Sequence, residues 1–161
     1  MSLTIRRARP GEAGLVLSFV RELADYQKLL HEVVATEADI DAALFVDRPR
    51  LYCEIACWNG EPAGFAVWFI NFSTFNGRSG IYLEDLFVRP AQRGNGIGKA
   101  LLAHLARECV AKGWSRVQWS VHDWNTPSIE FYKSLGAVLM DDWTICRIGG
   151  AALTALAEGA R

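Results

Sequence analysis

The chain has 161 residues, of which 51% are hydrophobic and 22% are charged. Chains of low hydrophobicity and high net charge stay disordered, so this composition indicates a folded globular protein. The length suits a single hydrophobic core, and we expect one domain over residues 1–161. Seventeen basic and eighteen acidic residues give a formal net charge of -1. The chain therefore has no overall positive field, and we expect no nucleic-acid partner.

The sequence also predicts where the protein works. No segment approaches the roughly 20 consecutive apolar residues that cross a bilayer, and the N-terminal residues lack the apolar centre of a secretory signal. The four cysteines, Cys53, Cys57, Cys109 and Cys146, include no Cys-x-x-Cys pair, which favours free thiols in a reducing compartment. We expect a cytoplasmic protein with no membrane partner.

Hydrophobic periodicity predicts the elements of the first half in chain order. A short strand at 3–8 precedes a helix whose apolar residues share one face: Val16, Phe19, Val20 and Leu23. Thr36 is a good N-cap for a second helix that ends near Val46. Strands then follow at 51–58, 63–71 and 80–88. Asn59-Gly60 joins the first two of these strands as a two-residue hairpin.

In the second half, helical spacing covers 95–112, and Gly113 is placed to end that helix. A strand at 116–121, a helix at 126–135 and a closing strand at 137–148 follow, and the Ala-rich end from 149 reads as an unstructured tail. The order βααβββαβαβ implies an α/β fold with helices on both faces of a mixed sheet. Its N-terminal strands form an antiparallel meander, and the strands ending near Val88 and Val121 run parallel.

The most informative segment is the glycine-rich turn Arg93-Gly94-Asn95-Gly96-Ile97-Gly98-Lys99, between a strand end and a helix start. Unpaired N–H groups at a helix N-terminus bind phosphate, and glycines let a ligand approach the backbone. The turn is thus a phosphate cradle or, alternatively, a tight connector whose glycines only satisfy turn geometry. Its spacing fits neither the Walker A loop nor the dinucleotide-binding GxGxxG motif. It matches the Arg/Gln-x-x-Gly-x-Gly pattern of the GNAT superfamily of N-acetyltransferases.

Two further segments extend this likeness. They are Tyr82-Leu-Glu-Asp-Leu-Phe-Val-Arg-Pro and Asp123-Trp-Asn-Thr-Pro-Ser-Ile-Glu-Phe-Tyr-Lys-Ser-Leu-Gly-Ala. Together with the turn they resemble the diamine acetyltransferases, the spermidine/spermine and thialysine branch of that superfamily. A weaker likeness at 21–26 extends the resemblance over nearly the whole chain. It implies the GNAT fold, in which two parallel strands splay apart, and acetyl-CoA as cosubstrate.

The resemblance also implies where acetyl-CoA binds. In that family the coenzyme lies between the splayed strands, with its pantetheine arm along the first strand and its diphosphate on the turn amides. Both contacts have a physical basis: the extended pantetheine arm can add to a strand edge, and a helix N-terminus attracts the anionic diphosphate. The implied coenzyme-binding residues are Leu86, Phe87, Val88, Arg93, Gly94, Asn95, Gly96, Ile97, Gly98, Lys99, Asn125 and Ser128.

Acetyl transfer needs two proton-handling groups. An amine must lose a proton before it attacks the thioester, and the leaving thiolate benefits from an acid. By resemblance Glu84 is the base, acting through waters, and Tyr132 is the acid. Without the resemblance, Glu84 would be a solvated strand charge and Tyr132 a helix-face aromatic. In a regular strand Glu84 and Asp85 point to opposite faces, so only one of them could line the cleft.

The candidate acceptor-site residues are Tyr26, Gln27 and Glu84, with Trp119 and Ser120 as candidate cleft walls and core packing as the alternative for the aromatic residues. Gln27 stands where polyamine acetyltransferases carry an acidic residue, which weakens the attraction for a polyamine. The segment with Ser73 and Thr74 is more similar to the thialysine branch, whose substrates also carry a carboxylate. We expect acetylation of a primary amine on a small molecule, either lysine-like or a di- or polyamine, by a homodimer.

Two other functions remain open. One is acetylation of a protein or peptide amine, which needs an open groove, and the other is non-catalytic binding of acyl-CoA. No metal is expected. His31-Glu32 begins like the zinc motif HExxH, but Ala35 stands where its second histidine belongs, and His104 and His122 have no partner at ligand spacing.

Overall fold

The computed structural model describes residues 1–159. The chain divides into two compact units, Met1–Ser120 and Val121–Arg161. The first unit contains β1 (Leu3–Arg7), α1 (Ala13–Tyr26), α2 (Glu37–Leu44), β2 (Tyr52–Trp58), β3 (Glu61–Ser73), β4 (Arg78–Val88), α3 (Ile97–Ala111) and β5 (Val117–Trp119). The second unit contains α4 (Thr126–Ser134) and α5 (Gly150–Ala157).

The five strands form one mixed sheet in the order β1-β2-β3-β4-β5. The first four strands pair antiparallel, whereas β4 and β5 pair in parallel over Ile81–Leu83 and Val117–Trp119. Asn59 and Gly60, with φ of 51° and 87°, form the β2–β3 turn, since two-residue hairpins need positive φ at both positions. The predicted meander, hairpin and parallel pair are confirmed.

Helices of the first unit cover both faces of the sheet. Ile55 of β2 belongs to a buried core that it shares with Phe19 of α1. The neighbouring residue Glu54 points to the opposite face, where its carboxylate accepts from Trp68 Nε1 at 3.2 Å and lies 3.5 Å from His104 Nε2 of α3. We call these two sides the α1 face and the α3 face.

Local side-chain contacts fix the ends of the first two helices. Thr36 caps α2, because its hydroxyl accepts from the Asp39 N–H while the Asp39 carboxylate accepts from the Thr36 N–H. This capping box confirms the predicted helix start. Glu12, just before α1, accepts two hydrogen bonds from the Arg6 guanidinium of β1, at 2.9 and 2.7 Å. These bonds tie the first helix to the first strand.

The C-terminal predictions are wrong in two places. Residues 137–148 form no strand, because a strand needs a hydrogen-bonded partner and the described residues of the second unit offer none. The predicted tail instead contains α5, whose Ala- and Leu-rich sequence has high helix propensity and overrides the lack of a side-chain cap. None of the described helices combines the length and apolar character needed to cross a membrane.

Candidate active site

The sheet opens on one side of β4. Its parallel pairing with β5 ends at Leu83 and Trp119. Beyond that point, residues 85–88 pair with β3 and with no other strand among the described residues. At the start of the opening, the Tyr82 and Ser120 hydroxyls share a hydrogen bond of 3.0 Å. The other backbone edge of β4 is thus available to an extended ligand, which can bind as an added strand does.

A β-bulge lies where the strands separate. Val67 of β3 has Asp85 as its register partner and the next residue, Trp68, has Leu83, so Glu84 is an extra residue in β4. Because Val67 lies in the core of the α1 face and Trp68 lies on the α3 face, Asp85 is on the α1 face. The bulge interrupts the regular strand expected here, because Leu83 and Asp85 are two residues apart and yet lie on opposite faces.

The bulge places two carboxyl groups side by side in different environments. Glu84 is exposed, whereas Asp85 is half-buried. Burial, and secondly the negative charge of Glu84, raise the pKa of Asp85 from 3.8 to about 6. On β2, burial raises the pKa of the Cys53 thiol, with smaller contributions from the charges of Glu54 and Asp85. A carboxyl group that titrates near neutral pH therefore lies beside the open strand edge.

The glycine-rich turn leads from β4 into α3. Gly94 and Gly96 have φ of 82° and 74°, values that L side chains rarely adopt. Gly96 is the N-cap, and its carbonyl accepts the first helical bond from Ala100. The N–H groups of the first turn of α3 are therefore directed towards the opening of the turn. A Cβ added at Gly94 or Gly96 would meet no atom within 4 Å, so the turn is open at both positions.

The Arg93 side chain turns back to the strand. Its Nε donates to the Val88 carbonyl at 2.9 Å, and its guanidinium carbon lies 4.9 Å from the ring centre of Tyr26 and 5.4 Å from that of Phe87. The rings of Tyr26 and Phe87 are themselves 6.5 Å apart. The structure thus brings one predicted acceptor residue to the strand and turn predicted to bind the coenzyme. Gln27 is the C-cap of α1.

The other predicted site residues of the first unit lie along the same strand and turn. Phe87 is buried, Leu86 and Val88 are half-buried, and Lys99 is exposed. The Asn95 side chain donates to the Gln92 carbonyl at 2.9 Å, which stabilises the turn. The side-chain oxygen of Gln92 is buried without a hydrogen-bond partner among the described residues.

In the second unit, Asn125 and Ser128 form the start of α4. The buried Asn125 side chain accepts from the Ser128 N–H at 3.4 Å, which makes Asn125 the N-cap. Tyr132, on the last turns of α4, is half-buried, and its ring lies 5.5 Å from that of Phe131. The coenzyme and catalytic roles of these residues stay predictions.

Two features of the site were not found from the sequence. Tyr82 was given no role, although its hydroxyl meets Ser120 at the opening. Asp85 receives no role from the sequence, because regular alternation allows only one of Glu84 and Asp85 to line the cleft and the resemblance selects Glu84; the residue letters alone do not reveal a bulge. Among the described residues no group of three or more His, Cys, Asp or Glu side chains could hold a metal ion.

Comparisons with known proteins agree with this geometry. The profile of the Acetyltransferase (GNAT) family matches residues 18–137. The chain is 37% identical to the thialysine N-epsilon-acetyltransferase of Bos taurus over 95% of this chain and 96% of that protein. It is 28% identical to the L-ornithine N5-acetyltransferase of Arabidopsis thaliana, over 94% and 86% of the two chains.

Among solved structures, an integron cassette protein from the mobile metagenome of V. cholerae superposes with a TM-score of 0.80 at 31% identity. The match covers 98% of this chain and 99% of that chain. The resemblance and the fold predicted from the sequence are confirmed: this chain belongs to the GNAT family of acetyltransferases.

Proposed function

We propose that the protein transfers the acetyl group of acetyl-CoA to a primary amine of a small molecule. The observation that carries this proposal is the opening between β4 and β5, which leads directly into a glycine turn at a helix N-terminus. The related thialysine and L-ornithine acetyltransferases support an acceptor that is an amino acid with a side-chain amine. A di- or polyamine is the alternative acceptor.

Most of the coenzyme-binding residues of this proposal lie on two neighbouring segments. Leu86, Phe87 and Val88 offer the free strand edge to a pantetheine arm, and the turn from Arg93 to Lys99 offers its amides to a diphosphate. Asn125 and Ser128 complete the coenzyme set by family resemblance. Acetyl-CoA supplies the activated acetyl group as a thioester, and no metal is required for the transfer.

The acceptor side of the proposal uses residues at both ends of the same opening. Tyr26 and Gln27 at the end of α1, with Trp119 and Ser120 at the end of β5, form the acceptor walls. Glu84, on the bulge, is the residue that the family resemblance assigns as base, and Tyr132 is the acid that protonates the thiolate. The exposure of Glu84 supports access from solvent through waters.

We further propose one domain, a homodimer and a cytoplasmic location. The family match over 18–137 crosses the boundary between the two compact units, which supports a single functional domain.

Exposed apolar side chains at Val138, Trp143 and Ile145 support burial against a second copy, because such residues are costly to leave in water. Size-exclusion chromatography with light scattering should give twice the monomer mass; a monomer at micromolar concentration contradicts the dimer.

The function is tested by incubating the purified protein with acetyl-CoA and separate acceptors while the released thiol is measured. The panel contains thialysine, ornithine, spermidine and peptides with a free N-terminus or lysine. We expect turnover with at least one free amine and no more than background with peptides. Turnover on peptides alone would identify a peptide acetyltransferase, and acetyl-CoA binding without turnover on any acceptor would identify a non-catalytic binding module.

A further inference from the structure

Two arginines at the end of β4 contact one face of α1. Arg89 directly follows the strand, and Arg93 begins the glycine turn four residues later. Arg89 forms an ion pair with Glu22 of α1. Arg93 lies over the ring of Tyr26, which is four residues further along the helix than Glu22. Because residues four apart share one face of a helix, the two arginines hold the last turn of α1 at two neighbouring points.

The Arg89 side chain is fixed by contacts on every side of its guanidinium. Its Nη2 donates to Glu22 Oε1 at 2.8 Å and its Nε donates to Glu22 Oε2 at 3.0 Å, which is the two-bond geometry in which arginine binds a carboxylate most strongly. Its Nη1 donates to the Pro62 carbonyl of β3 at 2.9 Å. The guanidinium carbon lies 4.5 Å from the ring centre of Phe19, a buried residue of α1. Arg89 thus joins α1 to the sheet.

This junction lies one helical turn before the predicted acceptor residues Tyr26 and Gln27. Tyr26 is the last residue of α1, and its ring centre lies 6.5 Å from that of Phe87 on the predicted coenzyme strand. The ends of helices fray unless other contacts hold them. The Arg89–Glu22 pair therefore sets the separation between the last turn of α1 and the end of β4, and a shift of about 1 Å between two substrate sites is enough to impair a reaction.

From this arrangement we propose that Arg89 and Glu22 are positioning residues for the transfer: their ion pair holds the last turn of α1, and with it Tyr26, in the position that binds the acceptor amine. The inference rests on the proposed function and deepens it. Neither residue belongs to the acceptor or coenzyme set predicted from the sequence. Both act through Tyr26, and neither takes part in a proton transfer or a covalent step.

The other end of α1 offers a matched control. Arg6 and Glu12 also form a two-bond pair, at 2.9 and 2.7 Å, and it joins the start of α1 to β1. The exposed fractions of the side chains are similar: 33% and 35% for Arg89 and Glu22, against 27% and 23% for Arg6 and Glu12. If both pairs served stability alone, breaking either one would leave the binding of substrates unchanged. A difference between them in amine kinetics therefore separates positioning from stability.

The test measures KM and kcat for thialysine in Glu22→Gln, Arg89→Gln and Glu12→Gln. The amide in Glu22→Gln loses the charge and turns N–H donors towards the Arg89 guanidinium. We expect KM for thialysine to rise about tenfold, with kcat and the calorimetric affinity for acetyl-CoA within about twofold of the wild type, because the change weakens amine binding alone. Arg89→Gln should raise KM similarly, and the double variant no further, since both residues act through one pair. Glu12→Gln should keep the wild-type KM.

The inference is overturned if Glu22→Gln and Glu12→Gln have the same KM for thialysine. A second measurement needs no turnover: the NMR signals of the Tyr26 ring protons should shift in Glu22→Gln and keep their wild-type positions in Glu12→Gln. Unchanged signals in Glu22→Gln also overturn the inference. If Glu22→Gln does not fold, Glu22→Asp, which keeps the charge on a shorter side chain, replaces it in both measurements. Failure of the proposed function looks different, because the wild type then turns over no amine; the NMR comparison still decides whether the pair holds Tyr26.

Discussion

The guanidinium of Arg93 stacks over the ring of Tyr26, with 4.9 Å between the guanidinium carbon and the ring centre. This contact joins the last residue of α1 to the glycine turn. Arg93 Nε also donates a hydrogen bond to the Val88 carbonyl. One side chain therefore contacts both a predicted acceptor residue, Tyr26, and a predicted coenzyme residue, Val88. Changes at Arg93 should therefore affect both substrates.

Arg93→Lys is the first prediction. Lysine lacks the planar guanidinium and its Nε–H, so the variant loses both the stacking and the Val88 bond. We expect KM to rise several-fold for acetyl-CoA and for the amine, with a modest fall in thermal stability. Arg78→Lys is the control, because Arg78 is an exposed arginine at the start of β4. Steady-state kinetics that do not distinguish the two variants would contradict a linking role for Arg93.

Gly96→Ala tests the glycine turn. Alanine at a φ of 74° is strained by about 1 kcal/mol, and relief of that strain moves the first turn of α3. Gly77→Ala carries the same kind of strain at a φ of 64° in the β3–β4 hairpin, and a Cβ has open space at both positions. We expect weaker acetyl-CoA binding, measured by calorimetry, in Gly96→Ala only. Equal affinities would show that the turn does not hold the coenzyme.

The elements that the sequence predicted well are those whose signals are local. Asn59-Gly60 sets its own turn, Thr36 and Asp39 cap a helix within four residues, and the spacing of apolar residues on α3 needs no knowledge of the rest of the fold. The glycine turn belongs to the same class, because its motif contains both the strand end and the helix start. Each of these predictions depends on residues that are neighbours in the chain.

The predictions that failed depend on partners distant in the chain. The segment 137–148 is rich in apolar residues, yet an apolar segment does not by itself supply a neighbouring strand to pair with. The bulge at Glu84 is set by the register between β3 and β4, so the face of Asp85 follows from pairing rather than from the residue letters. The active-site carboxylates were the least predictable part for the same reason.

Asp85→Asn should stabilise the protein in a pH-dependent way. The pKa of Asp85 rises from 3.8 to about 6 on folding, so the carboxyl costs no stability below pH 3.8 and destabilises the folded state progressively as pH rises to 6. The full difference corresponds to about 3 kcal/mol, and partial exposure reduces it to about 1–2 kcal/mol. Urea unfolding at pH 8 should show the variant to be more stable than the wild type, and unfolding at pH 4 should show little difference. Lower stability at pH 8 would mean that asparagine loses a contact which aspartate makes.

Tyr132→Phe tests the predicted acid. Without the hydroxyl the thiolate leaves unprotonated, so kcat should fall by at least tenfold, while calorimetry should give an unchanged acetyl-CoA affinity. Tyr52→Phe is the control, because Tyr52 stacks on Trp68 at 4.5 Å outside the proposed site. Unchanged turnover in Tyr132→Phe would remove this residue from its assigned role.

Glu12→Gln should destabilise the protein with the opposite pH dependence to Asp85. The hydrogen bonds from Arg6, aided by the Arg9 N–H, lower the pKa of Glu12 from 4.5 to about 2. Stability from this pair is therefore fully present above pH 4.5 and is lost as pH falls towards 2. Because both side chains are about one quarter exposed, we expect a loss of about 1–2 kcal/mol at pH 7. In urea titrations the free energies of unfolding of the variant and the wild type should differ at pH 7 and converge near pH 2. An equal difference at both pH values would mean that glutamine disturbs packing at the start of α1 and that loss of the charge is not the cause.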